Sequence, residues 1–260
     1  MSETNNLVLV EISNGVATVT LNRPDALNAL SARLKQRISE VFADFIDSSD
    51  VEVVILTGAG RAFTVGLDLK ELGGEVESQA GVSNQDFSRI LAEVRQPIIG
   101  AVNGFAITGG FELALMCDFL IASTEARFAD THVRVGVVPG WGLSQRLPRL
   151  IGINRAKELS LTGNFLDADT AYAWGLVNRV VSPEQLLPTC RQLAEDIIST
   201  DPATRNEIKR IMDTGWQSTL AEGLTLERDA NRRHSASNVD ADSVAKRRAA
   251  IQARGRQQTS

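Results

Sequence analysis

The 260-residue chain holds only two histidines, His132 and His234, and two cysteines, Cys117 and Cys190. Neither cysteine belongs to a C-x-x-C, and there is no H-E-x-x-H. A zinc site built from Cys and His is therefore nearly excluded, and no metal is expected. Chemistry that needs an imidazole is confined to two residues. Unpaired thiols suit a reducing compartment. Cys117 follows the apolar run Leu113-Ala114-Leu115-Met116 and reads as a buried structural thiol. His234, within Arg232-Arg233-His234, reads as a surface residue.

Long apolar runs are also missing. The longest, Ile98 to Ser123, is interrupted by Asn103, Glu112 and Asp118, which a membrane span would not place there. The N-terminus has no basic segment leading into an apolar one, so no signal peptide is expected. A cytoplasmic location follows as an expectation. The net charge of −5 argues against a general nucleic-acid binder. The charge is uneven, with a basic cluster near the C-terminus at Lys246, Arg247, Arg248, Arg254 and Arg256. That cluster reads either as a solvated helix face or as a clamp for a phosphorylated ligand.

Several nucleotide and hydrolase motifs are absent. Gly58-Ala59-Gly60-Arg61-Ala62-Phe63 starts like a dinucleotide fingerprint but ends in Phe, with no helix pattern opening there. There is no G-x-x-x-x-G-K-[ST] and no G-x-S-x-G.

What is present alternates strand and helix signals. Leu7–Ile12 and Val16–Leu21 read as a hairpin around Asn14-Gly15. Leu34, Ile38, Val41, Phe42, Phe45 and Ile46 mark one helical face, with Ser31 as N-cap. Val53–Thr57, Ile98–Val102 and Phe119–Ala122 read as buried strands. Gly73–Asn84 reads as a polar, mobile loop. Helical periodicity dominates after about residue 183, and Ser218–Arg254 reads as two helices. The expected fold class is α/β. Residues 1–183 form the core and 184–260 a helical region docked onto it.

Two glycine-containing turns follow buried strands. One is Ala62-Phe63-Thr64-Val65-Gly66-Leu67-Asp68-Leu69-Lys70, the other Asn103-Gly104-Phe105-Ala106-Ile107-Thr108-Gly109-Gly110-Phe111-Glu112. The first turn of a helix leaves its N–H groups unpaired, and the dipole adds positive charge. Two such donors aimed at one point make an oxyanion hole. The plain alternative is two ordinary strand–helix turns. Glu112 bears on the choice, because it is a carboxylate in the first helical turn of an apolar segment. It favours the helix dipole, hydrogen-bonds a loop, or does acid–base chemistry.

At these residues the chain resembles the crotonase, or enoyl-CoA hydratase/isomerase, superfamily. The resemblance covers nearly the whole chain. It starts at Arg23-Pro24-Asp25-Ala26-Leu27-Asn28-Ala29-Leu30 and continues through Ala62–Glu71, Ala101–Gly104, Gly109–Ala114 and Cys117-Asp118. Phe128-Ala129-Asp130, Pro139-Gly140, Gln145-Arg146-Leu147, Leu161-Thr162-Gly163 and Gly175-Leu176-Val177 follow in order.

The resemblance implies a spiral of ββα units followed by helices that build homotrimers, or dimers of trimers. It implies an acyl-CoA thioester as substrate, with coenzyme A arriving as part of it and no other cofactor. The Leu67 and Gly109 N–H groups fall at the oxyanion-hole positions. Glu112 falls at the first catalytic glutamate position, where it activates water for addition to the β-carbon of a trans-2-enoyl-CoA. Ala26, Leu27, Gly66, Asp68, Leu69 and Lys70 line the substrate channel. His132 stands where hydratases carry a second glutamate. It either transfers the α-carbon proton or lines the site. Trp141 stands where the family often has a small residue, and either narrows the acyl pocket or fills a core gap. The C-terminal Asp240-Ala241-Asp242 and Lys246-Arg247-Arg248 keep only the outline of the family's ending. The expected activity is hydration. Isomerisation, decarboxylation or thioester hydrolysis through the same enolate are the alternatives, as is a weakly catalytic CoA-binding protein.

Overall fold

The computed structural model describes residues 6–75, 81–238 and 241–259. Strands β1 (Val8–Ser13) and β2 (Val16–Leu21) form the expected hairpin, with Ser13 opposite Val16. Its two turn residues, Asn14 and Gly15, have φ of 50° and 78°. A type I′ turn needs that left-handed pair, which matches the twist of the strands. Helix α1 (Ala32–Ile46) follows, and the Ser31 hydroxyl accepts from Leu34 N–H as its cap. Its periodic face, Leu34, Ile38, Val41, Phe42 and Phe45, is buried.

Strand β2 then pairs in parallel with β3 (Val53–Gly58), and β5 (Ile98–Val102), β7 (Phe119–Ser123) and β10 (Arg179–Val181) extend the same sheet. Every residue of β3 and β5 is buried, as a parallel sheet covered on both faces requires. A second sheet has the order β4 (Ala62–Thr64), β6 (Phe105–Ile107), β8 (Arg127–Ala129), β9 (Phe165–Asp167). Three of the long strands, β3, β5 and β7, each pass to a short strand of the second sheet and then to a helix. Thus β3 and β4 lead to α2 (Leu69–Leu72) and α3 (Asn84–Glu93), β5 and β6 to α4 (Gly109–Leu115), and β7 and β8 to α5 (His132–Val135). This repetition is the expected ββα spiral. The three-residue strands of the second sheet have no counterpart in the sequence pattern, because three residues cannot display a period of two.

The core has two faces. On one, Phe42, Phe63, Phe87, Phe111 and Phe128 are fully buried among aliphatic side chains, together with Leu143 and Leu147 of α6 (Leu143–Ile151), Ala156 and Leu159 of α7 (Ile153–Thr162), and Ala168 and Ala171 of α8 (Ala168–Ala173). On the other, Leu186, Cys190 and Ala194 of α9 (Pro183–Ile198) cover Val53, Ile55, Ile99 and Ile121. Helix α9 thus belongs with the strands, and the first compact unit ends at Ser199 rather than at residue 183. The second unit, Thr200–Ser260, holds α10 (Pro202–Trp216), α11 (Leu220–Asn238) and α12 (Ala241–Thr259).

Two expectations need correction. Cys117 is only half-buried, with its thiol directed at the Leu113 carbonyl. The fully buried thiol is Cys190, where loss of water pushes the pKa up to about 12. His234 is half-buried, not a free surface group, and its Nε2 lies 2.9 Å from Thr204 Oγ1. In the basic C-terminal cluster, Arg247 pairs with Asp201 at 2.8 Å. The Lys246 side chain and Asp240 lie outside the described residues, as does the centre of the segment read as a mobile loop, residues 76–80.

Candidate active site

The site begins with the segment before α1. Pro24–Ala26 form one 3₁₀ turn, and Leu27 and Asn28 then take φ of 50° and 57°. The buried Asn28 amide holds this shape. Its Nδ2 donates to the carbonyls of Ala59, Ala62 and Phe63, and its Oδ1 accepts from Arg23 N–H at 2.8 Å. Thr64 Oγ1 donates to the Asn28 carbonyl at 2.7 Å, and Leu30 N–H donates to the Gly66 carbonyl at 2.7 Å. These bonds fasten Ala26 and Leu27 beside Gly66 and Leu67. The Arg23 guanidinium then ties the Ala29 carbonyl to the Asp68 carboxylate.

The two glycine turns come together. A Cβ placed on Gly109 would lie 3.6 Å from the Leu67 nitrogen and 3.5 Å from Gly66 Cα. A Cβ on Gly66 would lie 2.8 Å from the Gly109 nitrogen, and Gly66 has φ of 85°. Only glycine meets both conditions there. Among the described residues, neither the Leu67 nor the Gly109 N–H has a hydrogen-bond acceptor. Gly109 opens α4, so its donor is left over by helix geometry. The preceding residue, Thr108, has φ of 54° and ψ of −116°. A β-branched residue there is strained, and such strain persists where surrounding bonds enforce it. Thr108 N–H donates to the Ala129 carbonyl, and its hydroxyl is bonded to that of Thr131.

A cavity of about 530 Å³ opens beside these turns. Of the residues expected to bind substrate, Ala26, Leu27, Asp68, Leu69 and Lys70 line it, as does the oxyanion candidate Leu67. Gly66, Gly109, Glu112, His132 and Trp141 do not. Arg23, which opens the Arg23–Leu30 segment of the resemblance, also lines the cavity, as do Thr108 and Thr131, to which the sequence assigned no role.

Glu112 and His132 lie together, at 3% and 5% exposure. Glu112 Oε1 accepts the N–H of Trp141 at 2.7 Å and of Leu143 at 3.3 Å, and Oε2 accepts that of Gly140 at 3.4 Å. Those donors come from the loop before α6. His132 Nε2 lies 3.4 Å from Glu112 Oε2. Its other ring nitrogen, Nδ1, lies 2.6 Å from Asp130 Oδ1. Burial disfavours the imidazolium, but the hydrogen bonds to Asp130 and Glu112 outweigh it and raise the His132 pKa to about 9. At neutral pH the ring is therefore a cation lying between Asp130 and Glu112. Asp130 is drawn the other way. Burial opposes its ionisation, yet hydrogen bonds from His132 and Ser160 hold its pKa below the usual range. Asp130 was not singled out from the sequence. Its signals were the Phe128-Ala129-Asp130 segment of the resemblance and the Asp-x-His spacing.

Trp141 is 6% exposed and packs on Phe87, with ring centroids 4.9 Å apart. Its Cζ3 would lie 3.2 Å from a Cβ on Gly109. The indole therefore backs the Gly109 turn. Among the described residues, no cluster of His, Cys, Asp and Glu is arranged to hold a metal ion. No described helix is long and apolar enough to cross a membrane.

Comparison with known proteins gives one consistent result. The family model described as Enoyl-CoA hydratase/isomerase matches residues 11–246. The Arabidopsis thaliana protein named probable enoyl-CoA hydratase 1, peroxisomal, is 43% identical over 225 residues, covering 86% of this chain and 85% of that protein. The short-chain-enoyl-CoA hydratase of Clostridium acetobutylicum is 40% identical over 232 residues, covering 88% of each. A crystal structure of an enoyl-CoA hydratase from Geobacillus kaustophilus superposes with a TM-score of 0.82 at 38% identity, over 89% of this chain and 90% of that one. With the spiral fold, the facing glycine turns and the buried Glu112 in place, the chain belongs to the enoyl-CoA hydratase/isomerase family.

Proposed function

We propose that the protein adds water to a trans-2-enoyl-CoA thioester to give the 3-hydroxyacyl-CoA. One observation carries the reading. The buried Glu112 carboxylate faces His132 at 3.4 Å and sits one helical turn beyond Gly109, whose turn packs directly against the Gly66–Leu67 turn. The thioester oxygen accepts both N–H groups. Glu112 takes a proton from water as the water oxygen bonds to the β-carbon. The π-electron pair moves onto the thioester oxygen as an enolate, stabilised by the two donors. The enolate pair then takes a proton from His132 at the α-carbon. The Glu112 proton returns to His132 across their contact, and both groups are restored.

In this reading the thioester portion of the substrate occupies the cavity along Ala26, Leu27 and Leu69. Trp141 limits the acyl side by filling the space behind Gly109. The reaction requires no metal and no redox cofactor, because coenzyme A enters with the substrate. The reading also includes a homotrimer or a dimer of trimers. Ile208, Met212 and Trp216 of α10 are largely exposed in the single chain, which supports an assembled form. It includes a cytoplasmic location, which the name of the Arabidopsis relative does not share.

The test is loss of the conjugated enoyl-thioester absorbance of crotonyl-CoA on adding purified protein. Hydration predicts steady loss proportional to enzyme. No loss at high enzyme concentration refutes it.

A further inference from the structure

The fold turns one carboxylate onto the histidine from below. Asp130 follows the last residue of β8, and His132 opens α5 two residues later. Asp130 is 2% exposed. A single oxygen, Oδ1, accepts from the His132 ring at 2.6 Å and from the His132 backbone N–H at 3.3 Å. Ser160 of α7 holds the carboxylate through a further hydrogen bond. The ring is thus tied to the same atom as its own backbone, which limits rotation about both side-chain torsions.

Glu112 cannot follow the ring if it turns. Three backbone N–H groups from Gly140, Trp141 and Leu143 fix its two oxygens. The alignment of the pair therefore depends on what holds the imidazole. A neutral imidazole has one donor nitrogen and one acceptor nitrogen, and the partner of one nitrogen decides the role of the other. With Asp130 accepting from Nδ1, the Nδ1–H is always retained. The exchangeable proton is then the one on Nε2, beside Glu112.

We infer that Asp130 is the positioning residue of this site, holding His132 so that Nε2 faces Glu112 and carries the proton that the reaction moves. Its catalytic consequence rests on the proposed hydration. The atoms balance without an outside reagent. Nε2–H passes its proton to the α-carbon of the enolate, and Glu112 returns to Nε2 the proton it took from water. The bond from Nδ1 to Asp130 stays intact throughout. Removing Asp130 leaves the ring free to present either nitrogen, so part of the enzyme holds the proton on the wrong side.

The groups that act on the ring are few. Asp130 faces it from the β8–α5 turn and Glu112 from α4. From α7, the Ser160 hydroxyl reaches Asp130 without adding charge. The nearby Arg134 of α5 is directed away, to the Thr162 carbonyl. A change of titration in an Asp130 variant therefore reports on this one contact.

The experiment compares wild type, Asp130→Asn, Asp130→Glu and Ser160→Ala. Each is made with His234→Gln, so that His132 is the only imidazole. Nuclear magnetic resonance follows its titration and its tautomer, and kinetics are run with crotonyl-CoA. Wild type is expected to titrate near 9 with Nδ1 protonated in the neutral form. Asp130→Asn is expected to titrate lower by about one unit or more and to populate both tautomers. Its kcat is expected to fall about tenfold or more with KM within about twofold. Asp130→Glu is expected to recover part of both. Ser160→Ala is expected to move both quantities the same way by less, and it serves if Asp130→Asn does not fold. An unchanged titration and tautomer, or an unchanged kcat, in whichever of these variants folds overturns the inference. If the titration moves but wild type hydrates nothing, the clamp stands and the proposed reaction falls. If wild type hydrates and the titration does not move, the clamp falls alone.

Discussion

The backbone N–H of Trp141 donates to Glu112 Oε1 at 2.7 Å, so the loop that carries the indole also fixes the carboxylate. The residue that fills the space behind Gly109 and the proposed base Glu112 are thereby positioned by one short segment. Changes on one are expected to be felt at the other.

Glu112→Gln tests the base. The amide nitrogen cannot accept a proton, and it would bring N–H groups against the N–H donors of Gly140, Trp141 and Leu143. General base catalysis contributes about 10²–10⁴-fold. The expected result is a fall in kcat of about a thousandfold within that range, with the fold intact by circular dichroism. Steady-state kinetics on the purified variant check it.

Trp141→Ala separates packing from selectivity. Deleting a buried Trp side chain costs about 3–5 kcal/mol, seen as a lowered Tm. The vacated space lies beside the oxyanion turn. The ratio of kcat/KM for a long-chain to a short-chain enoyl-CoA is expected to rise, measured on a series of straight-chain thioesters.

Asn28→Ala removes the amide that bonds to the Ala59, Ala62 and Phe63 carbonyls. Each buried partner left unsatisfied costs about 1–3 kcal/mol. A drop in stability of several kcal/mol is expected from denaturant unfolding, together with a raised KM, because Ala26 and Leu27 lose their anchor.

The pH dependence follows from His132. Its folded pKa, about 9, lies above the ordinary 6.5, so pairing with Asp130 and Glu112 stabilises the fold fully below 6.5. That contribution is lost as pH rises through about 9. His132→Gln is expected to be less stable than wild type below 6.5, with the difference narrowing above 9. Thermal unfolding at the two extremes measures it. The same ionisation predicts an alkaline limb in the rate of hydration with a midpoint near 9.

Much of this architecture is legible in the residues alone, for reasons that differ by element. The 3.6-residue period of Leu34, Ile38, Val41 and Phe45 and the Ser31 cap define α1 locally. Asn14-Gly15 defines the hairpin because few residue pairs accept two left-handed conformations. The four short strands leave no period to read, and the second sheet was missed with them. The period of α9 identifies a buried face but not the sheet that buries it, which is why the division falls after Ser199 and not at residue 183. Among the site residues, Leu67, Gly109 and Glu112 follow from motif positions. Asp130, Thr108 and Thr131 matter through contacts made between elements. The hydroxyl pair joins residues 23 apart in sequence, and the Asp130–Ser160 bond joins residues 30 apart.

Hydration itself is tested most directly by the fate of a labelled oxygen. Crotonyl-CoA is incubated with the protein in water carrying a heavy-oxygen label, and the product is resolved by mass spectrometry. The account predicts 3-hydroxybutyryl-CoA with one label at the β-carbon and the thioester intact, with its rate of formation lowered about a thousandfold in Glu112→Gln. Label in a free carboxylate with release of coenzyme A, or no labelled product at all, would contradict it.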